Sequence, residues 1–303
     1  MSKNVPLVSI LIPNHNRGGF LEECLDSALG QSYPNVEVIV IDDGSTDNSL
    51  EVLEKYKNCI QLISTSNRGA AAARNTGISN AKGEFIAFLD SDDTWVVDKI
   101  SLQIDKILKK DCDLVYCSGN IMEGNEITGQ TLTAQYSGNC YPYFKKFPTR
   151  AIIVLGCSGA LLRASHLKIS GNFDETFLGA AEDWDFFRRY CKSASVGLVP
   201  EALVNYRRHE GSITQRPTID WYRGNTKAIE NLIAEDPEIG PVERRMIWTR
   251  FQIVGLKTFL GSREIKLALS TILAIFLPTY HRTKLKNSQG VMSAMVIENK
   301  ESR

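Results

Sequence analysis

The feature that most constrains the fold of this chain is a regular alternation of short apolar runs with helical segments over residues 7–89. The run Val36–Ile41 is continuous and β-branched, which is typical of strands in a parallel sheet. This order predicts an α/β fold with a doubly wound, mostly parallel central sheet and flanking helices. The other apolar runs are Leu7–Ile12, Ile60–Ser64 and Glu84–Leu89, and the helical segments are Phe20–Leu29, Asp47–Tyr56 and Gly69–Ser79.

Polar clusters follow three of the predicted strands where each strand ends. They are Pro13–Asn16, Asp42–Ser45 and Asp90–Asp93, which together contain five aspartates. Ligands of open α/β sheets bind beyond the carboxyl ends of the strands, and in a parallel sheet these ends meet at one edge. The sequence therefore predicts a ligand cleft with clustered carboxylates at that edge.

Composition argues against several other classes of protein. The chain of 303 residues has 35 basic and 35 acidic side chains, and this balance argues against a general nucleic-acid surface. Seven scattered cysteines without a C-x-x-C pair predict neither a disulfide framework nor a zinc site. The N-terminus has no signal-peptide layout, and no window reaches the roughly 20 apolar residues of a membrane span. We therefore expect a cytoplasmic protein.

The second part of the chain has a weaker pattern. Asp113–Ser118 and Val196–Pro200 are predicted strands, and Gly156–Leu162 is a strand or a turn. Glu182–Cys191 is a predicted helix, and Gly119–Pro148 is expected to be a flexible excursion.

Three acids in four residues follow the apolar strand before Asp90. Alternating carboxylates on a tight loop can hold a hard divalent cation that also binds diphosphate oxygens. An acidic surface turn is the ordinary alternative. Repulsion among Asp90, Asp92 and Asp93 is costly without a cation or a basic partner, which favours a functional interpretation.

Two other segments of the first half admit both a functional and a structural interpretation. Asp42 and Asp43 can accept hydrogen bonds from a base or a ribose, or can form a turn before a helix that Asp47 caps. Arg74 lies in an Ala-rich helical segment and can contact a phosphate, lock the aspartates or remain solvated.

Two later segments carry candidate acid–base and metal chemistry. Asp183, in the first turn of a predicted helix, is either a general base or a favourable acid at a helix N-terminus. Trp184 can wall off that base or belong to the core. His209 can complete the shell of a cation, and the two arginines before it can meet a diphosphate.

Taken together, these motifs resemble the family 2 glycosyltransferases, which have the GT-A fold. The resemblance runs in order from about Val8 to Thr214. Most of the segments are modest alone, but seven in the right order with plausible gaps are specific. They are VSILIPNHNR, VIVIDDGSTDNS, NRGAAAARNTG, FIAFLDSDDTW, GNFDE, AEDWDF and YRRHEGSIT.

The resemblance implies a role for each candidate residue. Asp183 would be the catalytic base, with Glu182 orienting the site, and Asp92 and His209 would be metal ligands. Asp42 would bind the base of the donor, expected to be uracil. The implied donor-binding residues are Pro13, Asn16, Asp42, Asp43, Arg74, Asp90 and Ser91, and the implied acceptor-side residues are Gly156, Ser158, Gly159 and Trp184.

The implied activity is transfer of a sugar from a nucleotide diphosphate donor, expected to be a UDP-sugar, to an acceptor hydroxyl with inversion. The implied cofactor is Mn²⁺ or Mg²⁺, and an imidazole ligand favours Mn²⁺ slightly. The acceptor would be a saccharide or lipid-linked molecule of surface polysaccharide or glycolipid synthesis. The chain has neither the Q-x-x-R-W sequence nor the membrane helices of the processive synthases, so we expect transfer of one or a few sugars.

The same resemblance implies the domain organisation. A GT-A catalytic domain would cover residues 1–218, with a nucleotide-sugar half at about 1–110 and an acceptor half at about 111–218, followed by a helical C-terminal extension over 219–303. Within the extension, Arg244–Lys286 mixes apolar stripes with basic residues. Such helices either pack on the catalytic domain or lie peripherally on the inner face of a membrane.

Two other functions remain open. A nucleotidyltransferase also uses an α/β sheet and an acid-bound metal, but it normally has a Gly-rich basic loop after the first strand, of which PNHNRGG is a poor version. A non-catalytic sugar-nucleotide-binding subunit would tend to lose Asp92, Asp183 or His209, and all three are present. A NAD-dependent oxidoreductase is excluded because no G-x-G-x-x-G follows the first strand.

Overall fold

Two units make up the chain in the computed structural model, which describes residues 5–148, 150–177, 180–209 and 219–261. The first unit ends at Pro237 and the second begins at Glu238. The end of the YRRHEGSIT segment and residues 262–303 of the predicted extension lie outside the described residues.

A mixed sheet forms the centre of the first unit. Its strands are β1 (Val8–Asn14), β2 (Val36–Asp43), β3 (Gln61–Thr65), β4 (Phe85–Phe88), β5 (Thr94–Trp95), β6 (Leu114–Glu123), β7 (Glu126–Leu132), β8 (Ala160–Arg163) and β9 (Val196–Arg208). In the described residues the strand order is β3-β2-β1-β4-β8-β6-β9-β5, and β7 pairs with β6.

Helices occupy connections between these strands, and two more follow the last strand. They are α1 (Gly18–Leu29), α2 (Ser49–Lys55), α3 (Ala70–Asn80), α4 (Lys99–Lys110), α5 (Tyr141–Lys146), α6 (Gly156–Gly159), α7 (Leu167–Ser170), α8 (Glu182–Tyr190), α9 (Ile219–Glu235) and α10 (Pro241–Gly261).

The parallel part of the sheet determines where the polar clusters meet. Strand β1 lies between β2 and β4 and is parallel to both, and β2 is parallel to β3. All residues of β1 and β4 are buried, as expected for parallel strands covered on both faces. Asn14 is opposite Asp42, and Asp42 is opposite Ser64, so these carboxyl ends are level. The predicted α/β fold class is confirmed.

The sheet becomes mixed beyond β4. Strand β8 is antiparallel to both β4 and β6, whereas β6 and β9 are parallel. The flexible excursion predicted for Gly119–Pro148 is wrong, because this range contains the end of β6, all of β7 and α5. Strand β7 is exposed along most of its length, so its sequence has no apolar alternation to signal a strand.

Helix α9 packs against α8 within the first unit. Arg188 of α8 is buried and donates to Asp185 (2.8 Å) and to Glu235 at the end of α9 (2.9 Å). A catalytic domain that ends at residue 218 remains a prediction, and the structure adds that α9 belongs to the same compact unit as the sheet. No helix among the described residues is both long and apolar enough to cross a membrane.

Candidate active site

Buried polar side chains lock the carboxyl ends of β1 and β2 together. Asn14 Nδ2 donates to Asp42 Oδ1 (2.9 Å) and to Ser45 Oγ (3.2 Å), and the Ser45 N–H donates to Asp42 Oδ2 (3.2 Å). Asp42 is only 2% exposed, so this network encloses its carboxylate. The buried Oδ1 of Asn14 has no hydrogen-bond partner in the described part of the chain. Asn14 therefore joins the two strand ends at this edge of the sheet.

Asp43 and Asn16 brace the neighbouring loops. Asp43 Oδ1 accepts from the Arg68 N–H (2.9 Å), and Asp43 Oδ2 accepts from the Gly69 N–H (2.7 Å). Asn16, in the left-handed region with φ of +52°, accepts the Thr46 N–H with its Oδ1 (2.7 Å). These bonds tie the loops after β1, β2 and β3 to one another.

Arg74 links the acid loop after β4 to the start of α8. Its guanidinium donates to Asp90 Oδ1 (2.8 Å) and to Glu182 Oε1 (3.0 Å). The side chain is buried, and its Nε has no hydrogen-bond partner within the described residues. The Phe173 ring centroid lies 5.4 Å from the guanidinium carbon. Arg74 therefore brings positive charge to the acids and holds two distant segments together.

Asp92 and His209 approach each other from distant parts of the chain. Asp92 Oδ2 lies 3.0 Å from His209 Nε2 and 3.3 Å from Arg17 Nε. A carboxylate oxygen and an imidazole nitrogen this close suit a divalent cation. Within the described ranges no group of three or more His, Cys, Asp or Glu could hold a metal ion. The pair fits a cation that takes its remaining ligands from diphosphate and water, as Mg²⁺ commonly does.

Asp93 and Ser158 form a brace beneath the acid loop. Asp93 is buried and accepts hydrogen bonds from Ser158 Oγ (2.7 Å) and from the Arg207 N–H (3.0 Å). Burial, reinforced by the charges of Asp92 and Asp90, raises the pKa of Asp93 well above its usual range. Ser158 Oγ also accepts the Asp90 N–H (3.1 Å). Ser158 is fully buried under this loop and does not line the cleft, and its acceptor-side role stays a prediction.

Arg207 braces the same loop from β9. Its Nε donates to the Asp92 carbonyl oxygen (3.0 Å), and its other nitrogens bond to Asn125 (2.7 Å) and Glu23. The ring centroid of Phe20 lies 5.1 Å from the guanidinium carbon. With 2% exposure, Arg207 is committed to these partners. Arg207 also lines the cleft, so its contact with a diphosphate stays a prediction.

Asp183 lies in the first turn of α8 with its carboxylate against Gly156. Its Oδ1 accepts the Trp184 N–H (2.7 Å). Gly156 has φ of +47°, and a Cβ at this position would lie 2.5 Å from Asp183 Oδ2. Burial, together with the charge of Glu182, raises the pKa of Asp183 to about 6, and Arg74 opposes the shift. Such a carboxylate is ionised at neutral pH and can still accept a proton.

Asp92, the candidate metal ligand, and Asp183, the candidate base, line the same cleft of about 500 Å³. Trp184 forms part of its wall, donates from Nε1 to the Arg150 carbonyl oxygen (3.1 Å) and packs edge-on against Phe144. The predicted site residues that line the cleft are Pro13, Asp43, Arg74, Asp90, Ser91, Asp92, Glu182, Asp183 and Trp184. Those that do not line it are Asn16, Asp42, Gly156, Ser158, Gly159 and His209.

Several lining residues were not predicted from the sequence. Arg17 contacts Asp92, and its place in the VSILIPNHNR segment is a signal that could have identified it. Trp221 and Asn225 reach the cleft from α9, which carries no recognisable motif. Asn14, His15, Asn67 and Tyr206 also line the cleft; they lie in the predicted clusters or motifs but had no role assigned, whereas Phe187 lies outside them.

The fold and the site define an α/β protein with acids and a buried arginine gathered at the carboxyl ends of parallel strands, where such sheets bind ligands. The sequence model described as "Glycosyl transferase family 2" matches residues 9–168, and the chain belongs to this family. The glycosyltransferase class and the GT-A-type fold predicted from the motifs are confirmed.

Two relatives illustrate the similarity in sequence. An uncharacterized glycosyltransferase of Rickettsia typhi, RT0329, is 33% identical over 218 residues, which are 69% of this chain and 66% of that protein. A UDP-Glc:alpha-D-GlcNAc-diphosphoundecaprenol beta-1,3-glucosyltransferase of Escherichia coli, WfgD, is 40% identical over 131 residues. That alignment covers 43% of this chain and 52% of WfgD, about half of its length.

Two solved structures show the same fold. TarS 1-349 of S. aureus in complex with UDP-GlcNAc has a TM-score of 0.67 at 20% identity, covering 89% of this chain and 80% of that one. The mannosyltransferase PcManGT of Pyrobaculum calidifontis, in complex with GDP-Man and Mn²⁺, has a TM-score of 0.58 at 18% identity. It covers 99% of this chain and 89% of that one.

Proposed function

We propose that the chain is an inverting, metal-dependent glycosyltransferase that moves a sugar from a nucleotide diphosphate donor to an acceptor hydroxyl. The observation that carries this proposal is that Asp92 and Asp183 line the same cleft. Arg74 bonds to Asp90 and to Glu182, the close neighbours of these two acids. One cleft therefore combines a candidate site for a charged leaving group with a candidate base.

Asp183 is the proposed base. It takes the proton from the acceptor hydroxyl as that oxygen attacks the anomeric carbon of the donor sugar, while the bond to the diphosphate breaks. A single displacement of this kind inverts the anomeric centre. Trp184 lines the cleft next to Asp183, and burial raises the pKa of the Asp183 carboxylate to about 6, which suits a base near neutral pH.

The donor side of the cleft is proposed to recognise base and phosphate through separate groups. Asp42, which accepts a hydrogen bond from Asn14 at the carboxyl ends of β1 and β2, is the proposed ligand of the base, and Asn14 lines the cleft beside it. Asp90 and Ser91 line the cleft where ribose or donor sugar would lie. Asp92 and His209 would hold the Mn²⁺ or Mg²⁺, which when bound would neutralise charge on the departing diphosphate.

The printed names of the relatives support the choice of substrates. WfgD uses UDP-Glc and a lipid diphosphate acceptor, and TarS binds UDP-GlcNAc. A UDP-sugar is therefore the proposed donor, with a saccharide or lipid-linked acceptor of surface polysaccharide or glycolipid synthesis. PcManGT, which binds Mn²⁺ together with GDP-Man, supports a metal requirement. We place the reaction in the cytoplasm.

A panel of nucleotide sugars with Mn²⁺ tests this proposal. Release of the nucleoside diphosphate and thermal stabilisation by UDP or GDP are the readouts. We expect one nucleotide sugar to yield its nucleoside diphosphate, and we expect the amount released to increase when an acceptor is added. Release of inorganic pyrophosphate from a nucleoside triphosphate and a sugar phosphate would instead indicate a nucleotidyltransferase. Binding of a nucleotide sugar without turnover by any acceptor would indicate a non-catalytic binding subunit.

Gly156→Ala is expected to lower kcat by about a hundredfold, because the added methyl group would displace the Asp183 carboxylate that lies 2.5 Å away. The donor should bind as before. Steady-state kinetics with saturating donor and acceptor, together with UDP binding, measure the two effects.

Gly138→Ala is the matched control for this substitution. Gly138 also has a positive φ, +75°, but a Cβ there would meet nothing within 4 Å. The two variants therefore share the backbone strain of an alanine in the left-handed region. Equal kcat in both variants would show that Gly156 has no specific role beside Asp183.

The pKa of Asp183 predicts the acid limb of the pH profile. Because the base must be deprotonated, kcat/KM should rise with pH up to about 6 and then level off. The residual kcat/KM of Asp183→Asn should not show this rise with pH. A profile that rises only near pH 4, the usual range of a carboxyl group, would contradict the assignment.

A further inference from the structure

Helix α10 of the second unit carries an exposed apolar stripe. Val242, Met246, Ile253 and Leu260 are 75%, 46%, 43% and 56% exposed. They follow one another at intervals of four, seven and seven residues, which places them on one side of an α-helix. Ile247 and Phe251, which belong to another side of the helix, are buried. The helix therefore has both a buried face and an apolar face directed outward.

Basic side chains border this stripe. Arg245, Arg250 and Lys257 are exposed. Arg245 directly precedes Met246, and Arg250 and Lys257 lie four residues after Met246 and Ile253, which makes them neighbours on the helix surface. Helix α10 contains four basic residues and one acidic residue, Glu243, whereas the whole chain has 35 of each sign. The positive charge is thus concentrated around the apolar stripe.

Charge decides which occupant fits the stripe. In a coiled coil of two copies of α10, Arg245 and Arg250 would occupy the flanking positions that face each other, and like charges there oppose pairing. The chain after α10 offers no better complement, because residues 262–303 contain seven basic residues and three acidic residues. An apolar stripe bordered by cations instead complements a surface with an apolar interior and negative head groups.

We propose that α10 docks the protein on a bilayer that contains anionic phospholipid. Val242, Met246, Ile253 and Leu260 enter the boundary between head groups and acyl chains, and Arg245, Arg250 and Lys257 contact lipid phosphates. The inference extends the proposed function, since it determines where the enzyme works, but its test does not depend on catalysis.

Flotation of the full chain with vesicles tests the proposal. The probes are vesicles of phosphatidylcholine alone and of equal parts phosphatidylcholine and phosphatidylglycerol. We expect binding to the mixed vesicles, weaker binding to phosphatidylcholine, and a decrease as salt increases. The triple variant R245E/R250E/K257E should partition on the order of a hundredfold less onto mixed vesicles. The triple variant M246S/I253S/L260S should also lose binding, and at all salt concentrations.

The control variant is K55E/K57E/K109E, which makes the same change in net charge on exposed side chains of the first unit. It should float like the unmodified chain. UDP-induced thermal stabilisation of every variant shows that the first unit is folded and that nucleotide binding is intact. The proposal would be overturned if the full chain did not float, or if R245E/R250E/K257E floated as well as the full chain. It would also be overturned if the full chain formed a dimer that M246S/I253S/L260S separates into monomers. None of these results would change the nucleotide-sugar assays.

Discussion

Replacing Asp183 with asparagine is expected to lower kcat about a thousandfold, the range in which a positioned general base contributes. Asparagine keeps the size of the side chain, and its Oδ1 can still accept the Trp184 N–H that Asp183 accepts at 2.7 Å. It cannot take the proton of an acceptor hydroxyl. Donor affinity should remain nearly unchanged, because Asp92, Arg74 and Asn14 are not altered.

Stability measurements separate this loss of activity from unfolding. The raised pKa means that the folded chain holds the Asp183 proton more tightly than the unfolded chain. The stabilising contribution of that proton is therefore complete below the usual carboxyl pKa and lost as pH rises through about 6. At about pH 7.5 the neutral asparagine avoids burying a charge, so its Tm should be no lower than that of the original chain.

The exposed pair of Asp105 and Lys109 supplies a control for charge removal, because Asp105→Asn should leave both kcat and Tm almost unchanged. If Asp183→Asn retains full turnover with a normal Tm, Asp183 is not the base. If it loses UDP binding as well, the carboxylate acts on the donor side of the cleft.

The sequence predicted the first half of the fold well, for a physical reason. Strands β1, β2 and β4 are buried over nearly their whole length, so they appear as continuous apolar runs that end abruptly in polar residues. The parallel register then brings Asn14, Asp42 and Ser64 level at one edge. A cluster that depends on strand ends alone can therefore be predicted without coordinates.

The remaining features depend on contacts between residues far apart in the chain. Ser158 lies beneath Asp90 and Asp93, 65 or more positions away, and nothing in its local sequence distinguishes a brace from an acceptor-side group. Arg207 has the charge of a phosphate ligand, but its partners Glu23 and Asn125 come from two other parts of the chain. The participation of α9 in the cleft likewise follows from its packing on α8, which the sequence does not reveal.

Replacing Asp92 with alanine is expected to lower transfer by about a thousandfold or more, through a different step from Asp183→Asn. Asp92 Oδ2 is the atom that meets both His209 Nε2 and Arg17 Nε. Without it, the proposed cation loses its carboxylate ligand, and the departing diphosphate loses a compensating charge. UDP binding in the presence of Mn²⁺ should weaken by about ten- to a hundredfold, the range seen when a metal site loses a supporting group.

Two comparisons show whether this effect acts through a cation or through the ion pair with Arg17. Arg17→Ala removes the pair at 3.3 Å but keeps the Asp92 and His209 atoms, so UDP should still bind more tightly when Mn²⁺ is added. In a chelator, Asp92→Ala and the original chain should bind UDP with equal affinity, because only the metal-dependent part of binding involves Asp92. If Mn²⁺ strengthens UDP binding to Asp92→Ala as much as it does for the original chain, the cation lies elsewhere and Asp92 serves to position Arg17.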